Sequence, residues 1–87
     1  MLLKSSHDFL MQLDFAQWFL LRRRSKKLSQ ADIAQELQVT AQTVSNWENA
    51  KSVPTLDPVQ FYKLCLLLDV SVQDLAAAFS GESNTSN

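Results

Sequence analysis

Residues 28–49 read Leu28-Ser29-Gln30-Ala31-Asp32-Ile33-Ala34-Gln35-Glu36-Leu37-Gln38-Val39-Thr40-Ala41-Gln42-Thr43-Val44-Ser45-Asn46-Trp47-Glu48-Asn49. Two helix starts lie inside this stretch. Ser29 precedes Gln30, Ala31 and Asp32, an N-cap with an acid three residues on. Thr40 precedes Ala41, Gln42 and Thr43 and caps a second helix. Ile33, Ala34 and Leu37 share one face of the first helix, and Val44 and Trp47 share one face of the second. Only Gln38, Val39 and the Thr40 cap separate them. Two short helices so joined cross steeply, which is helix-turn-helix geometry. Ala34 is small enough to let the helices approach, and Val39 is placed to plug the core beneath the crossing.

Outward from this unit the same punctuation recurs. Asp57 precedes Pro58, Val59 and Gln60: an N-cap, proline in the first turn, then a capping-box glutamine. Ser71 precedes Val72, Gln73 and Asp74, again with an acid at the third position. One more helix precedes the unit, running from about Asp14 into the arginines. Five helices and no strand are therefore expected. In the fourth helix Phe61, Leu64, Cys65 and Leu68 form one stripe, and Leu66 and Leu67 widen it, predicting burial on more than one side. In the fifth, Val72, Leu75, Ala76 and Phe79 form the stripe. Gly81 stops that helix, and residues 82–87 are polar. The expected organisation is an N-terminal extension over 1–13, a domain over 14–80 and a flexible polar tail over 81–87.

Composition agrees with a small helical domain. The chain has 87 residues, 46% of them hydrophobic, with one glycine and two prolines, too few for the tight turns of an all-β fold. Apolar runs such as Trp18-Phe19-Leu20-Leu21 are far short of a membrane span of about 20 residues. Met1-Leu2-Leu3-Lys4 leads into Ser5, Ser6, His7 and Asp8 rather than a signal-peptide core. A single cysteine, Cys65, makes no internal disulfide. The expectation is a soluble cytoplasmic protein. His7 is the one histidine, so no His-His or Cys-His metal set exists, and Cys65 on an apolar helix face belongs to the core. There is no Gly-rich phosphate loop, no Ser-His-Asp set and no paired carboxylates about a pocket, so no enzyme and no cofactor are expected.

The net charge of −1 hides an uneven distribution. Residues 15–55 carry six cations (Arg22, Arg23, Arg24, Lys26, Lys27, Lys51) against three anions (Asp32, Glu36, Glu48). The remainder has two cations, Lys4 and Lys63, against six anions: Asp8, Asp14, Asp57, Asp69, Asp74 and Glu82. A basic centre between acidic ends allows a polyanion at one face. The run Arg22 to Lys27 also suits a helix C-terminus, whose dipole favours cations.

The stretch over 28–49 resembles the helix-turn-helix of the Cro/cI-repressor (Xre) family, whose pattern is close to lSQxxLAxxLgVSxxTISxWExG. SQ, A, V, TVS and WE fall in register without a gap. Arg23 stands at the family's helix-one arginine, and Pro54 and Leu68-Asp69-Val70-Ser71 leading into Leu75 resemble its last two helices. The likeness covers about residues 15–79. It implies an all-α, five-helix, lambda-repressor-like domain with a central helix-turn-helix, here behind an apolar N-terminal extension. Three positions depart from the pattern. Gln38 stands where the family has a left-handed glycine, at a cost of about 1 kcal/mol or more. Ala50 stands at a second family glycine, with Asn49 expected to supply the left-handed cap instead. The link Thr55-Leu56-Asp57-Pro58 is about two residues longer than usual.

The resemblance also implies roles. A recognition helix reads bases with short polar side chains on its first exposed turns. Thr40, Ala41, Gln42, Ser45 and Asn46 occupy that face, opposite Val44 and Trp47. Gln42 and Asn46 can each pair bidentately with adenine, and Ala41 and the Thr40 methyl suit a thymine methyl. Ser29 and Gln30, at a helix N-terminus, are placed for a phosphate, as are Asn49 and Lys51 beyond the recognition helix. Arg24, Lys26 and Lys27 are placed to flank the duplex. Arg23 and Glu48 are implied to form a structural ion pair.

The implied function is a sequence-specific double-stranded DNA-binding transcriptional regulator of the repressor kind, acting as a homodimer on a two-fold site. Two other readings stand beside it. One is an antitoxin, which also binds DNA but masks a toxin with its apolar N-terminal segment; the other is a protein–protein adaptor, a helix-turn-helix domain that has lost DNA binding. The pI of 5.6 and the absence of Lys or Arg inside residues 40–49 favour the adaptor somewhat. In the N-terminal part, Phe9, Leu10, Met11, Leu13, Phe15, Trp18, Phe19, Leu20 and Leu21 exceed what one helix face buries. Phe15 or Ala16, and Phe19, are expected in the core. The surplus is expected to pack on helix five or to form a dimer or partner interface, with packing inside one subunit favoured.

Overall fold

Capping chemistry sets the element boundaries in the computed structural model, which describes residues 14–80. Helix α1 spans Phe15–Ser25, and its N-cap Asp14 accepts from the Gln17 amide at 2.9 Å. Helix α2, Gln30–Leu37, opens on a full capping box between Ser29 and Asp32. Helix α3, Ala41–Glu48, starts where Thr40 Oγ1 accepts from the Thr43 amide at 3.0 Å. Helix α4, Pro58–Leu68, opens on the Asp57–Gln60 box with proline in its first turn. Helix α5, Val72–Ser80, begins with Ser71 Oγ accepting from the Asp74 amide at 3.0 Å. The described residues thus form an all-α, five-helix domain, with no strand among them.

Four of these helices end alike. Lys27, Gln38, Ala50 and Asp69 sit at φ between 56° and 60°, and none is glycine. At each end the next amide reaches back across the turn: Leu28 N to Arg23 O, Val39 N to Ala34 O, Lys51 N to Asn46 O and Val70 N to Cys65 O, at 2.9–3.2 Å. With the partner bond one residue earlier, this is the Schellman arrangement, which satisfies carbonyls the helix leaves open. Gln38 is left-handed as expected. Asn49 is not: it sits at φ −100°, and Ala50 is the left-handed residue. The end of α3 fixes this register, because it is Lys51 whose amide reaches Asn46 O.

The core gathers Phe19 from α1, Ile33, Ala34 and Leu37 from α2, Val44 and Trp47 from α3, Leu64, Cys65 and Leu68 from α4, and Leu75 from α5. Ala16 is also buried, and Phe15, Val39 and Phe61 pack against this core. Aromatic rings connect the elements. Phe19 meets Trp47 edge-on at 6.0 Å, while Phe15 stacks on Phe79 at 4.7 Å and Phe79 lies 5.9 Å from Phe61. Gln60 Nε2 donates to Leu37 O at 2.9 Å, fastening the start of α4 to the end of α2.

Two expectations about buried stripes need correction. Leu66 is 63% exposed, so α4 is not covered on a second side; with Val59 and Tyr62 it leaves an apolar strip in solvent. Val72 and Ala76 are exposed as well, and α5 buries Leu75 and Ala78 instead. The apolar period was right, but the covered arc is narrower, because α4 packs mainly against α2 and α5. The expected N-terminal extension (1–13) and polar tail (81–87) lie outside the described residues.

Candidate nucleic-acid interface

The recognition-helix candidate α3 is amphipathic in the required sense. Val44 and Trp47 are buried, while Thr40, Ala41 and Gln42 are exposed and Ser45 and Asn46 half-exposed. All five proposed base readers therefore share the outer surface of one short helix and its cap. Two of them touch: Gln42 Nε2 donates to Asn46 Oδ1 at 3.0 Å, one helical turn away. This contact uses one amide proton of Gln42 and does not engage its oxygen, its second proton or the Asn46 amino group. Thr40 Oγ1 and Thr43 Oγ1 are 2.9 Å apart, so the Thr40 hydroxyl already has local partners and its methyl remains the freer contact.

The helix is held against its neighbours by a charged cluster. Arg23 is buried, and its fork meets Glu48 through Nε–Oε2 at 2.5 Å and Nη2–Oε1 at 2.9 Å. Its Nη1 donates to Leu28 O at 2.7 Å. Gln30 Nε2 adds a third bond to Glu48 Oε1 at 2.9 Å. The Glu48 side chain keeps only 4% of its surface. Burial pushes its carboxyl upward, but the bonds from Arg23 and Gln30, with the charges of Arg23 and Arg24, outweigh that and hold it below the usual carboxylate range. The Arg23 guanidinium is raised above its ordinary value, first by its bond to Glu48. One cluster thus ties the end of α1, the start of α2 and the end of α3.

The phosphate candidates divide. Ser29 and the first amides of α2 lie at a helix N-terminus, where Gln30 and Ala31 N–H groups have no intrahelical acceptor. The Gln30 side chain, by contrast, is drawn into the Glu48 cluster. Asn49 folds back on α3, its Nδ2 donating to Ser45 O at 2.9 Å. Lys51 is exposed beside it. Among the flanking cations, Arg24 is close enough for its charge to bear on Glu48, whereas Lys26 lies 3.5 Å from Asp69 at the far end of α4. Sequence reasoning missed Arg22. Its Nε and Nη2 donate to Leu68 O and Asp69 O at 2.7 and 2.8 Å, capping the carbonyl end of α4. Its place in a basic run gave no sign of this.

Among the described residues no helix is long and apolar enough to cross a membrane, and no group of three His, Cys, Asp or Glu is placed to hold a metal ion. No curated protein and no solved structure matches the chain at a significant level. A helix-turn-helix family model matches residues 20–75, well over half of the chain. That span begins in α1 and ends in α5, so it takes in the capped turn at Gln38, the buried Arg23–Glu48 pair and the polar outer face of α3. The chain belongs to the Cro/cI-type helix-turn-helix family of DNA-binding regulators.

Proposed function

We propose that the protein is a sequence-specific transcriptional regulator, a repressor by position on its promoter, that inserts α3 into the major groove of double-stranded DNA as a homodimer. The observation that carries this reading is the outer face of α3. Gln42, Ser45 and Asn46 stand on a helix whose opposite side is buried and whose end is pinned by Arg23 and Glu48. Gln42 and Asn46 read base edges as a bonded pair, Ala41 and Thr40 contact thymine methyls, and Ser45 adds a hydroxyl. Ser29, the Gln30 amide, Asn49 and Lys51 engage phosphates and set the register.

Selection from a random duplex pool at about 0.15 M salt tests this. The expected result is an enriched two-fold-symmetric site. In the Gln42→Ala chain, base preference at one position of each half-site should relax, a loss of about 1–3 kcal/mol of discrimination. An unenriched pool from folded protein would overturn the reading. A second reading, an adaptor that has lost DNA binding and whose partner is a protein, is favoured by one observation. Val59, Tyr62 and Leu66 leave an apolar strip exposed along α4, while residues 40–49 hold no cation. It predicts no enrichment and an unchanged Gln42→Ala phenotype.

A further inference from the structure

A groove of about 270 Å³ opens between the start of α1, the end of α5 and the turn that follows α3. Its walls are largely apolar: the stacked rings of Phe15 and Phe79, with Trp47, Ala78 and Val53. Val53 is 64% exposed although it stands among these groups. An apolar cavity of about 150 Å³ accommodates a benzene. The groove therefore has room for about two side chains of leucine or methionine size.

The groove also lies where the described chain starts and stops. Asp14 and Ser80, the first and last described residues, both line it. The two ends differ in chemistry. Residues 9–13 are Phe9, Leu10, Met11, Gln12 and Leu13, whereas residues 81–87 contain only Gly, Glu, Ser, Asn and Thr. Apolar walls cannot partner the second set, because polar groups lose water there without gaining a hydrogen bond. They match the first. At about 3.4 Å per residue, five residues reach roughly 17 Å from Asp14, ample for a groove that begins at Asp14 itself. The tether also favours the chain's own segment over one from a second copy, since its effective concentration is about millimolar.

We propose that this groove is the docking site of the chain's own residues 9–13, seated within one molecule. The walls include Trp47 at the end of α3 and Ala50 and Val53 of the turn beyond it. The docked segment therefore clamps the turn that carries Lys51 against α5.

The test is methyl NMR on the full chain labelled at Leu, Met, Val and Ala methyls, run beside a mixture of differently labelled chains that reports contacts between molecules. The expected result is nuclear Overhauser contacts from Leu10 or Met11 methyls to Val53, Ala50 or Ala78, present within one chain and absent between chains. In the full chain carrying Leu10→Ser and Met11→Ser, the Val53 and Ala78 signals should shift while those of Val59 and Leu66 stay in place. Contacts seen only between chains would overturn the proposal by making the occupant a second copy. No contacts to the groove residues, with their signals unmoved in the double variant, would overturn it as well.

Discussion

Glu48 accepts three hydrogen bonds from two side chains, and its position makes it a hinge between stability and site geometry. Replacing it with glutamine leaves Arg23 buried with its charge unanswered, at a cost of about 3–5 kcal/mol. A small domain shifts its Tm by about 4–8 °C per kcal/mol, so Glu48→Gln should lower Tm by at least about 12 °C. A loss within experimental error would show that the cluster is not a determinant of stability. The pH dependence has a definite sign. The folded carboxyl is held below its unfolded value, so its contribution is fully present above about pH 4.5 and is lost as pH falls through the depressed folded value. Acid titration of stability should therefore be flatter in Glu48→Gln than in the parent below about pH 4.5. Gln42 and Asn46 form the other coupled pair. If they read DNA as a bonded unit, Gln42→Ala and Asn46→Ala should be non-additive in binding by at least about 0.5 kcal/mol, as measured in a double-mutant cycle. Simple additivity would mean each reads alone.

Helix ends explain both what the sequence revealed and what it concealed. The starts were legible because Ser29, Thr40, Asp57 and Ser71 carry their capping groups in local order, and each cap bonds within three residues. The ends were harder. Gln38 was legible because it stands where the resembling family has a left-handed glycine. Ala50 was not, because asparagine tolerates that conformation better than alanine and pointed to Asn49. The Schellman register overrides that preference, and Asn49 uses its amide on Ser45 instead. Side chains that act across the fold, such as Arg22 on the α4 carbonyls and Gln30 on Glu48, depend on which helices meet and leave no local pattern. The same helix ends give a stability prediction. Glycine removes the left-handed penalty at Gln38 and Ala50, offset in part by its greater freedom when unfolded. Gln38→Gly and Ala50→Gly should each stabilise by about 0.5–1 kcal/mol and together raise Tm by about 4–16 °C. Gln35→Gly, in the interior of α2, should destabilise by about 1 kcal/mol and serves as the control. A fall in Tm for either end substitution would overturn the left-handed assignment there.

Taken as a whole, the molecule has fewer cations at the disposal of a polyanion than its basic centre implies. Arg22 is occupied by the α4 carbonyls, Arg23 by Glu48 and Lys26 by Asp69. Within residues 15–55 this leaves Arg24, Lys27 and Lys51 exposed on the surface. If all three neutralise phosphates, the slope of log K against log salt should be about −3 for one subunit and roughly twice that for two subunits on a symmetric site. Lys51→Ala should reduce the magnitude by about 1 per subunit while weakening all sequences alike, as a phosphate contact does. Arg22→Ala should leave the slope unchanged, since its guanidinium faces the carbonyl end of α4. Filter binding or fluorescence anisotropy across a salt series, with folding checked for each variant, measures all three. A two-subunit slope near −6 that Arg22→Ala leaves intact and Lys51→Ala diminishes would locate the duplex along Arg24, Lys27 and Lys51. A slope that responds to Arg22 and not to Lys51 would place the polyanion beside the end of α4 instead, and with it the face that a partner must approach.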